Sequence, residues 1–225
     1  MSVRLVVVAD PPAATLASLD GVFDWGEAVT AAPGAVPDAD VLLSLAEEGI
    51  VAGAELWSRA AWPVRDDLFA EHAPGAGVLV VGDAERDGGL LAKLAAQEIP
   101  HRAVPVASAE DVLAAAVVAF PPAPGHDGRY VPGSLRDAVP AAAFAPLAAR
   151  RGLILPRAQV TFGLLPGSDH LAASTDDEVV QYAAALLAHP DAFRIQVALG
   201  AIAAERQRAS VVYGRLVADL AASAG

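Results

Sequence analysis

Val78-Leu79-Val80-Val81-Gly82-Asp83-Ala84-Glu85-Arg86-Asp87-Gly88-Gly89, running on through Leu90–Glu98 and His101–Val106, is the stretch on which the fold turns. A continuous apolar run that ends in a polar, glycine-rich turn reads as a buried strand handing the chain to a helix. The helix predicted over 90–98 is closed by Pro100, and residues 101–106 read as a second strand. Ser108 then stands as an N-cap, with Glu110 and Asp111 in the first turn, where acids favour the positive end of the helix dipole. Val117-Val118-Ala119-Phe120 is a third strand, halted by Pro121-Pro122. This β-α-β-α-β alternation predicts an α/β fold built on a doubly wound parallel sheet.

Downstream, Pro140 opens a predicted helix to about Arg150, and Gly152-Leu153-Ile154-Leu155 reads as a further strand. Residues 160–165 read as a short extended piece. Thr175-Asp176-Asp177-Glu178 has the spacing of a capping box and predicts a helix to Ala188. His189-Pro190 separates it from a long C-terminal helix of about 30 residues, along which Phe193, Val197 and Ile202 recur at helical spacing. Upstream the pattern is poorer. Val3–Ala9 is a β-branched run stopped by Asp10-Pro11-Pro12, and Asp40–Leu45 offers a second strand. Short helices are expected over 13–19 and 51–60. Ala73-Pro74-Gly75-Ala76-Gly77 marks the boundary, giving a shortened N-terminal α/β segment over 1–72 and a Rossmann-like domain over 73–225.

The composition narrows the function. The chain has 225 residues, 55% of them hydrophobic, and carries a net charge of −12. Such acidity opposes nucleic acid, which calls for a basic face, so no nucleic-acid partner is expected. Apolar stretches are broken by glycine, proline or charge before they reach the length of a membrane span, so none is expected. No signal-peptide layout opens the sequence, and the expectation is a cytoplasmic protein. With no cysteine, disulfides, thiolate metal sites and cysteine nucleophiles are excluded.

Two segments are placed to meet a ligand. The turn Gly82–Gly89 precedes a helix N-terminus, where phosphate is commonly held, yet Asp83, Glu85 and Asp87 outweigh Arg86. An ordinary βα turn explains its glycines equally. The loop 121–139 follows a parallel strand at the edge where such sheets bind ligands. It offers Arg129 and Arg136 for an anion, Tyr130 to stack on a base, and Ser134 and Asp137, or else it is a solvated surface loop. His126-Asp127 has no third metal ligand at useful spacing, and His72, His101, His170 and His189 are scattered. Ser168-Asp169-His170 has triad letters, but three consecutive residues cannot form a triad. Arg150-Arg151 closes a helix, where cations suit the dipole without any ligand.

Four places together resemble the C-terminal, donor-binding domain of GT-B glycosyltransferases, of the spore-maturation CgeB-like and group 1 type. Trp62-Pro63-Val64-Arg65-Asp66-Asp67-Leu68-Phe69 resembles the interdomain linker, and Val78–Gly82 the first donor-domain strand with its glycine turn. Phe144–Leu155 is similar to the helix-and-strand segment that follows. His189-Pro190-Asp191-Ala192-Phe193-Arg194, with Ser210, Tyr213 and Arg215, resembles the terminal helices, the last of which crosses back in that family to brace the other domain.

The resemblance implies a nucleotide-diphosphate sugar as ligand and metal-independent transfer of a hexose, with no further cofactor. Asp137 would lie beside the sugar, Arg129 and Arg136 would neutralise the diphosphate, and Gly82, Arg86 and Ser134 would line the phosphate site. The family's second carboxylate, eight residues on, is replaced by Ala145. About 60 N-terminal residues leave room for only a couple of acceptor-domain strands. Three readings follow: a nucleotide-sugar transferase; a non-catalytic relative that works through a protein partner or a second copy of itself; and an unrelated doubly wound enzyme or binder.

Overall fold

A computed structural model describes residues 3–8, 26–31, 39–44, 54–59, 64–105, 107–122, 138–157, 164–208, 210, 211 and 215. The chain forms two compact units, Met1–Asp66 with Arg206–Gly225, and Asp67–Glu205.

The first unit contains four parallel strands, β1 (Val3–Val8), β2 (Gly26–Ala31), β3 (Ala39–Ser44) and β4 (Ala54–Arg59), in the order β2-β1-β3-β4. Val6 stands opposite Val29 on one side and Leu42 on the other, and Leu42 stands opposite Trp57. The sequence reading finds β1 and β3 but misses β2 and assigns 51–60 to a helix. Residues 54–59 are instead a strand. Ala54, Glu55 and Leu56 favour helix locally, but pairing with β3 in a parallel sheet overrides that preference. The described residues thus hold four strands where the composition of this segment suggested two.

The chain enters this unit a second time. The Val64 N–H donates to the Gln207 carbonyl at 2.7 Å, and Val64 bridges Arg208 in parallel. The Ser210 hydroxyl and N–H donate to Asp66 Oδ1 at 3.0 and 3.3 Å. Gln207, Arg208 and Ser210 are thereby tied to Val64 and Asp66.

The second unit carries the predicted doubly wound pattern. Its strands are β5 (Val78–Val81), β6 (His101–Val104), β7 (Val117–Ala119), β8 (Gly152–Pro156) and β9 (Leu171–Ala173). All pair in parallel, in the order β6-β5-β7-β8-β9. Between them run α1 (Gly88–Ala96), α2 (Ala109–Ala114) and α3 (Ala138–Ala148), and α4 (Asp176–Ala188) and α5 (Arg194–Ala204) follow β9. Every residue of β5 and β7 is buried, as expected of central strands covered on both faces. Val78, Val80, Val117 and Ile154 pack with Leu90 and Leu94 of α1 and with Val179, Ala183 and Leu186 of α4. Leu79, Val118, Leu153 and Leu155 alternate to the opposite face and are equally buried, as are Phe144 and Leu147 of α3.

The helix ends explain where the chain turns. Ser108 accepts from the Asp111 N–H at 3.1 Å while Asp111 takes the Ser108 N–H, a complete capping box. Thr175 accepts from the Glu178 N–H, but Glu178 reaches one residue further back, to the Ser174 N–H. The predicted box is therefore made with a shifted return bond. The C-terminal helix is described over Arg194–Ala204, followed by a 3-10 turn, Glu205–Gln207. Most of the chain beyond lies outside the described residues.

Candidate functional site

In a parallel sheet of this order the connections from β5 and β7 leave in opposite directions. Their C-terminal ends flank a switch-point crevice, the usual ligand position in such folds. Gly82 follows β5 and Phe120-Pro121 follows β7. The Gly82 N–H donates to the Val104 carbonyl at 2.9 Å, and the Phe120 N–H to the Ile154 carbonyl at 3.0 Å.

The β5–α1 turn is tied together by its own acids. Asp83 Oδ1 accepts from the N–H groups of Glu85 at 2.9 Å and Arg86 at 3.0 Å, and its carbonyl accepts from the Asp87 N–H at 2.8 Å. The bonds from the Arg86 and Glu85 N–H groups hold the Asp83 carboxyl below its ordinary value. Arg86 lies across Asp87 in a two-point pair, Nε to Oδ1 at 3.1 Å and Nη2 to Oδ2 at 2.9 Å. That pairing raises the guanidinium's affinity for its proton. Asp87 is only 6% exposed. Its carboxylate packs so closely on Gly82 that a Cβ there would sit 2.2 Å from Oδ2, with Pro121 Cγ at 3.1 Å. Only glycine fits between the Asp87 carboxylate and Pro121.

The next turn is acidic as well. A Cβ on Gly89 would stand 3.6 Å from Asp176 Oδ2, and Asp177 pairs with Lys93 at 2.8 Å. Asp83, Asp87 and Asp176 thus surround the start of α1, and the one arginine of its turn is committed to Asp87. Chemically, the turn is a closed ion-paired plug on one wall of the crevice.

Of the residues singled out in the sequence, Gly82 and Arg86 come together here. Arg129, Tyr130, Ser134, Arg136 and Asp137, with His126 and Asp127, lie outside the described residues. The loop holding them joins the C-terminal end of β7 to α3, so by chain connectivity it leaves from the same edge. Ala145 is half-buried on α3.

Ser168-Asp169-His170 sits before β9, at the opposite edge of the sheet. Asp169 Oδ2 accepts from the Leu165 N–H at 2.8 Å, and His170 Nδ1 has no hydrogen-bond partner. These contacts build a turn and no triad. Among the described residues there is no cluster of three or more metal-ligating side chains, and no helix is long and apolar enough to cross a membrane.

The sequence reading leaves three polar residues without their roles. Asp87 is the partner of Arg86, a pairing that adjacency in the sequence does not announce. Arg151 is buried; its Nη2 donates to the carbonyls of Ala73 and Leu113, both at 2.8 Å, while Nε has no partner. Burial without a carboxylate lowers its affinity for the proton. His170 is 2% exposed, and burial pushes its pKa down. Nothing in the local sequence marks either burial.

The chain matches no protein-family model and no curated protein.

Proposed function

We propose that the protein is a cytoplasmic, GT-B-like glycosyltransferase relative that binds a nucleotide-diphosphate sugar at the C-terminal edge of the 67–205 unit. The observation that carries this reading is the chain path. Two units with all-parallel sheets follow one another, and the C-terminal segment returns to the first unit through Val64, Asp66, Gln207 and Ser210. A single doubly wound domain has no need of that return, whereas the resemblance implies it.

In this proposal Arg129 and Arg136 take the diphosphate, because the Arg86 guanidinium is held by Asp87. Tyr130 stacks on the base, Ser134 contacts phosphate, Gly82 lines the wall, and Asp137 lies beside the sugar. Two fixed cations beside the leaving diphosphate favour bond cleavage by stabilising the charge that develops there. No metal is called for.

A second reading is favoured by a specific pair of observations. The acidic turn presents carboxylates where a diphosphate would approach, and Ala145 offers no hydrogen-bond acceptor on α3. Both suit a non-catalytic relative that acts by binding protein.

A melting scan against millimolar UDP, GDP, ADP and TDP separates the two, because a ligand that binds only the folded state raises the melting temperature. The transferase reading expects a shift of several degrees with one nucleotide, lost in Arg136→Ala and kept in Arg86→Ala. No shift with any nucleotide overturns it and leaves the protein-binding reading.

A further inference from the structure

The chain holds three Asp-Gly pairs, at 20–21, 87–88 and 127–128, and the described residues include the second. An aspartate before glycine is open to attack by the next backbone nitrogen on its own side chain, because glycine sets no Cβ beside that nitrogen. Gly88 keeps this openness in the fold. A Cβ added there would meet nothing within 4 Å, and its φ is not left-handed. Neither packing nor backbone conformation calls for glycine at this position.

The fold instead withholds the geometry of attack, which would join the Gly88 nitrogen to Asp87 Cγ. Asp87 has ψ 11°, which sets that nitrogen beside the Asp87 nitrogen and away from the side chain. The Asp87 N–H donates to the Asp83 carbonyl at 2.8 Å, and the Asp87 carbonyl accepts from the Leu91 N–H at 3.1 Å. Turning the 87–88 peptide toward the side chain breaks the second of these bonds. Such bonds belong to any helix start; the restraint particular to this site is Arg86. Its guanidinium takes both carboxylate oxygens, at 3.1 and 2.9 Å, and the Asp87 side chain, 3% exposed, is held over Gly82.

We propose that Asp87-Gly88 is an aspartate-isomerisation site that the Arg86 pair holds shut while the protein is folded. When the pair opens, the Gly88 nitrogen attacks Cγ of the protonated carboxyl group. A C–N bond forms and a C–O bond breaks, and the oxygen leaves as water with the acid proton and the N–H proton. Water then adds back to the cyclic imide. Addition at the side-chain carbonyl restores aspartate. Addition at the backbone carbonyl breaks its bond to nitrogen and leaves the chain running through the side chain, as isoaspartate. The water taken up equals the water released, and no oxidant or cofactor is needed. The product inserts a methylene at the start of α1 and takes the carboxylate off Gly82, on the wall of the crevice. This inference is independent of the ligand reading, since no ligand takes part.

Peptide mapping of the full chain after long incubation at neutral pH, folded and in urea, tests it, with isoaspartate at residue 87 read by enzymatic methylation. In the folded parent the product is expected at least about tenfold more slowly than in urea, because reaction waits on an opening that breaks charge-assisted bonds. Arg86→Ala, at an exposed position, is expected to raise the folded rate at least about threefold through loss of that pair. Arg102→Ala, which breaks a different ion pair, to Asp111, is expected to leave the rate at 87 unchanged. Adding Gly88→Ala to Arg86→Ala should abolish the gain, since a Cβ then shields the attacking nitrogen. Equal rates folded and in urea, an Arg86→Ala rate equal to the parent's, an equal gain from Arg102→Ala, or a gain that survives Gly88→Ala would each overturn the proposal.

Discussion

The Asp87 carboxylate fills the space that a side chain on residue 82 would occupy: its Oδ2 lies 2.2 Å from the position of a Cβ on Gly82, and Arg86 holds it there from the other side. Gly82 and Asp87 of the β5–α1 turn are therefore one packing unit. Gly82→Ala is expected to destabilise the protein by about 1–3 kcal/mol, the usual cost of forcing atoms into a filled site. In an Asp87→Ala background the same change should cost far less, because the clashing group is gone. Urea denaturation of the four proteins measures the coupling. Equal costs in both backgrounds would show that Asp87 does not occupy that space.

Arg151 stitches residue 73 to the end of α2 from inside the protein, through the carbonyls of Ala73 and Leu113. Hydrogen bonds to a charged group are worth more than neutral ones, and removing this donor takes two of them away, from the carbonyls of exposed Ala73 and half-buried Leu113. Arg151→Met, which keeps the apolar stem, is expected to lose about 2–4 kcal/mol by chemical denaturation. A loss below about 1 kcal/mol would mean that water reaches both carbonyls in the variant.

How much of this could be read from the sequence depended on the scale of the signal. The strands β5, β7 and β8 are runs of four or so apolar residues bounded by glycine and proline, and the pattern alone places them. In the first unit, Gly26–Ala31 and Ala54–Arg59 carry few β-branched residues, and they become strands only because a parallel neighbour supplies their hydrogen bonds. At the candidate site, the acidity of residues 83–87 was visible, but the pairing of Arg86 with Asp87 rests on side-chain geometry that spacing does not encode. Arg151 and His170 are harder still. Each lies beside another polar residue, and only the packing of distant segments makes them internal.

Acid should expose the burial of His170. Its pKa is lowered from 6.5 by burial, an effect that the nearby Asp169 charge only partly offsets. The folded state therefore keeps the ring neutral at a pH where the unfolded chain has already taken up a proton. Because the unfolded state binds more protons, stability rises with pH: this contribution is complete above about pH 6.5 and is lost as the pH falls below it. Over that window the group adds a slope of up to about 1.4 kcal/mol per pH unit. His170→Phe should flatten the dependence of the urea midpoint between neutral and mildly acid pH. An unchanged difference between variant and parent across that range would remove His170 as its source.

Two helices end on a left-handed residue that is not glycine. After α1, Glu98 has φ 54°, the Glu98 N–H donates to the Ala95 carbonyl, and the Ile99 N–H donates to the Leu94 carbonyl. After α3, Arg150 has φ 55°, with the matching bonds from its own N–H to Leu147 and from Arg151 to Pro146. Both are six-residue helix caps in which the left-handed position usually falls to glycine. A side chain there costs about 1 kcal/mol, partly offset because glycine gains freedom in the unfolded chain. Glu98→Gly and Arg150→Gly are each expected to stabilise the protein by about 0.5 kcal/mol, and to add, since they sit on separate helices. Ala95→Gly, on the exposed side of α1 with ordinary helical geometry, should instead lose about 1 kcal/mol. Thermal and urea unfolding of these variants decide the matter: a gain at 98 and 150 with a loss at 95 fits the caps as described. A loss at all three would mean that residues 98 and 150 do not hold the left-handed conformation in solution.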